Sequence, residues 1–338
     1  MKKITSALLC IALLPCTLLA SCGKQSEEAR FGMGVYSYYS SADDATEEKD
    51  GSAAVLHTVA AVFTDKNGRI IDIDLDAAEC IGEYNVHGSF TEKDKFATKK
   101  ELGDSYGMAK YGTDRDDNGK VLEWDEQAEA FENIAKGKTL DEIKALVSGS
   151  YGTEEVIKAG CTIAVSDFVK AIEKAFANAQ VYTEHADEVE LGIVSVQSDC
   201  KNASEEADGV NNIETYFAAA LKDHDDKVVA MELDSAEAQI KFDMHGKALT
   251  DTSAAITTKN ELGADYGMAK YGTDTNGDGK ILEWFEQADV FKSYCKGKTA
   301  EQIAGLIYKD GYALPDIQAA GCTIYISDMA KAAVKAAE

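Results

Sequence analysis

The sequence predicts an α+β protein of two tandem homologous domains, each an antiparallel sheet with packed helices. Three observations carry the prediction. A 28-residue block, Glu101 to Ala128 (ELGDSYGMAKYGTDRDDNGKVLEWDEQA), returns as Glu261 to Ala288 (ELGADYGMAKYGTDTNGDGKILEWFEQA), with 20 of the 28 positions identical. A match of that strength 160 residues apart marks a duplication, so each motif is read in pairs. In each half, strand-like runs divided by Asp/Asn/Gly turns come first, and apolar residues at helical spacing come after. The expected organisation is a signal at 1–21, a tether at 22–30, domain one at 31–180, a linker at 181–188 and domain two at 189–338, each domain long enough for its own core.

The first residues read as an export signal. Lys2 and Lys3 precede an apolar run from Ala7 to Ala20, too short to span a bilayer, which ends at Leu19-Ala20-Ser21-Cys22 before Gly23. That ending resembles the lipobox of bacterial lipoproteins, which implies that Cys22 is lipidated and that the membrane is reached through a lipid anchor on the extracellular face. Removing 1–21 takes away two lysines and no acid, so the formal charge goes from −26 to −28. So acidic a chain is repelled by phosphates, which excludes nucleic acid as a partner and suits cations or basic partners. Cys80, Cys161, Cys200, Cys295 and Cys322 then remain: an odd number, without CxxC and with only Cys161 and Cys322 matched between copies. Buried, reduced thiols are expected, with no disulfide framework.

In order, Gly34 to Ser37 pairs with Gly192 to Ser195 as an opening strand in each copy. Ala53 to Thr64, a turn at Asp65 to Gly68 and Arg69 to Leu75 read as a β-hairpin; Tyr216 to Leu221, Asp223 to Asp226 and Val228 to Leu233 are its partner. An acidic strand ending in His87-Gly88, or His245-Gly246, leads to the duplicated block. One histidine per unit makes a poor metal site. After Trp124, the residues Ala128, Phe131, Ile134 and Ala135 recur at helical spacing, Gly137 stops the helix, and Thr139 with Glu142 forms a capping box for the next. Cys161 to Val165 and Cys322 to Ile326 read as strands, each followed by a Ser-Asp-led helix.

Two patterns carry chemistry. In the duplicated block Asp114, Asp116 and Asn118, and again Asp274, Asn276 and Asp278, place oxygens at alternate positions 1, 3 and 5. Gly119 and Gly279 follow at position 6, and the carbonyls of Lys120 and Lys280 supply position 7. This resembles the first half of an EF-hand or dockerin loop and implies calcium. The second half departs: Asp125 or Phe285 stands at position 12, with Glu126 and Glu286 one residue later as candidate closing ligands, and no helix is expected to enter through the glycine-rich YGMAKYGT. An Asx- and Gly-rich surface turn is the alternative for the same residues.

The second pattern is Ala159-Gly160-Cys161-Thr162-Ile163, repeated as Ala320-Gly321-Cys322-Thr323-Ile324. A lipoprotein anchor, tandem α+β units and a closing G-x-T turn before an Ala-rich helix make the chain resemble extracytoplasmic FMN-binding domains, and its plan resembles tandem-repeat lipoproteins of Gram-positive extracellular electron transfer. The resemblance implies FMN joined through its phosphate to Thr162 and Thr323 by a flavinyltransferase, with Gly160, Gly321, Cys161 and Cys322 framing the site and a membrane electron donor as partner. Departures are Ala159 and Ala320 in place of Ser/Thr, and Cys161 and Cys322 in place of Ala. Gly for a turn, Cys for burial and Thr for a strand account structurally for the same residues. Tyr106, Tyr111, Trp124, Tyr266, Tyr271 and Trp284 are candidates to stack on a flavin ring, or else core packing. No Rossmann, P-loop, G-x-S-x-G or HExxH motif occurs, so a non-catalytic carrier is expected, with a calcium-stabilised binding or adhesion lipoprotein as the alternative.

Overall fold

The computed structural model describes residues 28–338 except 94, 113–118, 273, 275, 276 and 278, together with the side chain of Lys309. The signal and Cys22 lie outside the described residues, as do Asp114, Asp116, Asn118, Asn276 and Asp278. Copy one runs β1 (Ala29–Asp43), β2 (Gly51–Thr64), β3 (Ile70–Tyr84), α1 (Lys99–Leu102), α2 (Met108–Tyr111), α3 (Trp124–Ala135), α4 (Leu140–Lys144), the short strands β4 (Val147–Ser148) and β5 (Tyr151–Gly152), α5 (Glu154–Lys158), α6 (Ser166–Asn178) and β6 (Gln180–Tyr182). Copy two runs β7 (Glu188–Gln197), β8 (Gly209–Lys222), β9 (Val228–Phe242), α7 (Lys259–Leu262), α8 (Met268–Tyr271), α9 (Trp284–Cys295), α10 (Ala300–Ala304), α11 (Pro315–Ala319) and α12 (Ser327–Ala336). The main sheets are antiparallel, ordered β3-β2-β1-β6 and β7-β8-β9, each with helices packed on it, which is the α+β fold expected. Residues 181 and 182 pair with β1 and Glu188 opens β7, so 183–187 connect the two sheets.

The hairpin turns form because an aspartate carboxylate gathers the backbone N–H groups of the turn. Asp65 accepts from Asn67 and Arg69 at 2.8 and 2.9 Å, and Asp223 from Asp225 and Lys227 at 3.0 and 3.1 Å. Strands β2 and β8 are central and buried on both faces. In β2, Val55, Val59, Ala61 and Phe63 face the other copy, whereas Ala60 and Val62 face the helices; Ile213, Phe217 and Leu221, against Ala218 and Ala220, do the same in β8. Double burial explains the nearly unbroken apolar runs of these strands. The acidic strand expected after the first hairpin is the continuation of β3, which stays paired with β2 as far as Tyr84.

The layers are helices, sheet, sheet, helices. One hydrophobic core lies between the sheets and draws on both copies; the other two lie between each sheet and its own helices. The independent domain cores expected from length are thus supplemented by a central core that neither copy completes alone. The sheets meet about a pseudo-twofold. Tyr84 stacks on Phe242, its counterpart 158 residues on, at 4.5 Å and 9°. The N–H of Ala203 bonds the Gly88 carbonyl while that of Ala45 bonds Gly246, both at 2.7 Å. The matched His-Gly pairs therefore serve the copy–copy interface: Gly88 and Gly246 adopt φ of 67° and 70°, and a Cβ on either would press on the backbone of the opposite copy's turn. Asp72 and Asp74 of edge strand β3 accept the N–H groups of Val189 and Leu191 on edge strand β7, at 2.9 and 2.8 Å, capping an edge that would otherwise be open.

Two local expectations are corrected. Cys161 to Val165 and Cys322 to Ile326 are not strands; each touches a neighbour through one isolated bridge, Tyr151 to Ala164 and Tyr312 to Tyr325. Their backbone groups are taken by other partners: the Thr162 N–H by the Gln127 side chain and the Val165 N–H by the Ser150 carbonyl. A short helix, α2, does enter the acidic loop, starting from Gly107 at φ 81°. Its first N–H groups, on Met108 and Ala109, are accepted by the Glu123 carboxylate at 2.8 and 3.0 Å, a cap supplied from beyond the loop. The expected helices α3, α4 and α6 form, and Thr139 and Glu142 cap α4 reciprocally.

Candidate functional site

The site begins at α1, where Thr98 and Glu101 form a capping box that fixes Lys99 on the first turn. A 3-10 turn from Gly103 to Ser105 carries the chain to Tyr106. The Lys99 ammonium lies 5.1 Å from the Tyr106 ring centre and 5.8 Å from that of Trp124, at the start of α3. Trp124 is held edge-on against Phe168 of α6.

Gln127, one turn into α3, joins the two repeated motifs. Its Nε2 donates to the Leu122 carbonyl at 2.9 Å and to Met108 Sδ at 3.1 Å, while its Oε1 accepts from Thr162 N at 2.8 Å and Thr162 Oγ1 at 3.0 Å. Gln287 holds Leu282, Met268 and Thr323 in the same way, with Thr323 N and Oγ1 at 2.8 and 3.1 Å and the Ile324 N–H added at 3.2 Å. The repeated glutamine and threonine thus have a shared structural task, which is to pin the turn beside α3.

The structure brings Thr162, Tyr106 and Trp124 together on one cleft of about 440 Å³, within the range of roughly 300–1,000 Å³ typical of small-molecule sites. Tyr38, Leu56 and Thr58 from the sheet, Lys99, and Tyr151 and Asp167 complete much of its wall. Asp167 already has partners, the Tyr38 hydroxyl at 3.1 Å and the Lys170 ammonium at 3.1 Å. Burial and the adjacent Asp167 carboxylate push the Tyr38 phenol up to about 12, so it stays a neutral donor at physiological pH. Cys161 does not line the cleft. It and Cys322 are fully buried, and burial pushes both thiols up to about 12, so neither is a ready nucleophile. Gly160 and Gly321 make the turn at φ 104° and 119° against Leu122 and Leu282. Tyr111 and Tyr271 point to solvent, 78% and 77% exposed, and are no part of the cleft.

Of the acidic-loop residues that are described, most are engaged within the protein. One oxygen each of Glu126 and Glu286 accepts the Glu123 or Glu283 N–H as a capping box, and the other oxygen of Glu126 pairs with Lys120 at 3.6 Å. Asp274 accepts the N–H groups of Gly277 and Gly279 at 2.6 and 2.9 Å, an Asx-turn arrangement, and Lys280 is exposed. Asp125 differs: its Oδ1 is buried and has no hydrogen-bond partner among the described residues. Among the described residues no three His, Cys, Asp or Glu side chains converge as a metal site.

Sequence reasoning missed Lys99, Gln127, Tyr38 and Asp167. Lys99 and Gln127 carried a usable signal, because Thr98-Lys99 recurs as Thr258-Lys259 and the EQA glutamine is present in both copies. Tyr38 and Asp167 reach the cleft from distant elements, which local patterning does not report. No family model matches the chain, nor does any curated protein or solved structure.

Proposed function

We propose that this chain is a lipoprotein anchored through Cys22 on the extracellular face of a bacterial membrane, holding FMN in the copy-one cleft as a non-catalytic electron carrier. The observation that supports this reading is the convergence of the Thr162 hydroxyl with the aromatic walls of Tyr106, Trp124 and Tyr38 in one small-molecule-sized cleft. These residues suit the group: aromatic faces stack on a planar ring, and the hydroxyl is oriented by Gln127 on the wall where a phosphate ester would attach. When bound, FMN supplies the ring that accepts and releases electrons. The chain's own residues position that ring, and Cys161, buried behind the turn, leaves the threonine as the accessible side chain of the motif. A flavinyltransferase and a membrane donor are the partners this function requires.

The test is the absorbance spectrum and intact mass of membrane-extracted protein after denaturation and desalting. Retained flavin bands with an FMN mass increment, lost on replacing Thr162 and Thr323 by Val, are expected. A colourless protein at its lipidated mass, from a host that flavinylates other proteins, would refute covalent attachment.

The orphaned Asp125 Oδ1 favours a second reading, a calcium-stabilised binding lipoprotein. Calcium should raise the melting temperature and EDTA should lower it, with the calcium-dependent part lost in Asp125→Asn. Identical melts with and without EDTA would remove calcium from the account.

A further inference from the structure

The two copies place the same lysine on the same rings but give it different counter-ions. Lys259 lies 4.9 and 5.5 Å from the ring centres of Tyr266 and Trp284, as Lys99 does over Tyr106 and Trp124. In copy two Lys259 is 5% exposed, and its ammonium is clamped by Glu214 at 2.6 Å and Glu237 at 2.9 Å. The strand register identifies the counterparts: Leu56 opposes Glu79 in copy one as Glu214 opposes Glu237 in copy two. Leu56 lines the copy-one cleft, and Glu79 is exposed. Among the described residues no carboxylate forms an ion pair with Lys99, whose partners are the two rings. The neighbouring wall changes in the same sense. Thr58, Ala77 and Ala164 of copy one become Tyr216, Ser235 and Tyr325, with Ser235 Oγ donating to Glu214 at 3.3 Å and Tyr325 packed edge-on against Tyr312.

We propose that Glu214 is a built-in stand-in for the ligand's anionic group, so that copy one alone binds, taking one planar aromatic anion with Lys99 as its counter-ion, while copy two is the sealed counterpart. A half-buried ammonium over two rings, without a carboxylate partner among the described residues, favours a phosphate or carboxylate presented beside an aromatic ring. In copy two the Glu214 carboxylate already satisfies the equivalent lysine, and an incoming anion would have to displace it from a buried pair. The inference rests on the flavin reading of the cleft and adds its stoichiometry, its anion contact and the inequality of the copies.

The experiment titrates the full chain, produced in a host without flavinyltransferase, with FMN and with riboflavin, which differ by the phosphate. One equivalent of FMN is expected, bound about tenfold or more tightly than riboflavin. Lys99→Met should remove that difference by weakening FMN alone, and Leu56→Glu should weaken FMN by placing in copy one the carboxylate that seals copy two. Two equivalent FMN sites, or equal affinity for FMN and riboflavin in the unaltered protein, would overturn the inference and leave the flavin reading standing. Absence of binding by either flavin would overturn both. Weakening of FMN and riboflavin alike in Lys99→Met would make the lysine a packing element and defeat its counter-ion role.

Discussion

His57 lies at the centre of the molecule, and its burial gives a sharp acid-stability prediction. The ring sits fully buried between the sheets, with Nδ1 2.7 Å from Ser37 Oγ, Nε2 3.3 Å from Thr215 Oγ1, and its edge against Phe217. Both hydrogen-bonding neighbours are hydroxyls, and among the described residues no carboxylate compensates a charge there, so burial lowers the imidazole from its ordinary 6.5 to about 3. A depressed histidine contributes stability that is complete above the unfolded value. Below about pH 6.5 the unfolded chain takes up a proton that the native state refuses. Each further pH unit, down to about 3, then removes about 1.4 kcal/mol. From pH 6.5 to 4.5 the loss is roughly 2–3 kcal/mol, a large part of the stability of most domains. Buried carboxylates pull the other way: Asp76 and Asp234 are each raised to about 6 by burial and gain stability as pH falls. The informative quantity is therefore the difference between the unaltered protein and His57→Gln, in which an amide still reaches Ser37 and no longer titrates. Urea-unfolding free energies should show the variant less stable at pH 7.5, with the gap closing by about 1.4 kcal/mol per pH unit below pH 6. Parallel curves from pH 7.5 to 4.5 would refute a neutral, proton-excluding His57.

Glu132 should behave oppositely. Burial, which outweighs the adjacent Lys100 ammonium, raises its carboxyl to about 7, so its stabilising protonated form is complete below about pH 4.5 and lost as pH rises through 7. Glu132→Gln, which keeps an acceptor for the Leu75 N–H, should gain roughly 1–3 kcal/mol relative to the unaltered protein between pH 5 and 8, read by urea unfolding. Gly192 meets the backbone of α12, where a Cβ would collide with the Ala332 carbonyl. Gly192→Ala should therefore cost about 1–3 kcal/mol, against near neutrality for Gly305→Ala at the end of α10, with melting temperature as the readout.

Much of the fold was legible in the residues because its signals are local. The duplication, the Asp-led hairpin turns, the Gly137 stop and the Thr139 capping box each involve residues within a few positions of one another, where steric and hydrogen-bond preferences act without tertiary help. The Cys161–Val165 misreading marks the limit. An apolar, β-branched run lacks a neighbouring strand there, and the Gln127 side chain, distant in sequence, takes the Thr162 N–H instead. Thr162, Tyr106 and Trp124 were legible as candidates because both copies retain them; their meeting in one cleft, and the role of Lys99 there, depended on how α1, α3 and the turn pack on the sheet.

By itself, then, the sequence determined that the chain is an α+β duplication with strands ahead of helices, since periodicity and turn chemistry are written in neighbouring residues. Tertiary structure decided that the two sheets share a core, that Gly88 and Gly246 exchange contacts between copies, and that Lys259 is paired with Glu214 whereas Lys99, among the described residues, has no carboxylate paired with it. Those outcomes depend on contacts between residues tens to hundreds of positions apart. One substitution on a strand, Leu56 in one copy and Glu214 in the other, can change a lysine's partner without disturbing any local pattern.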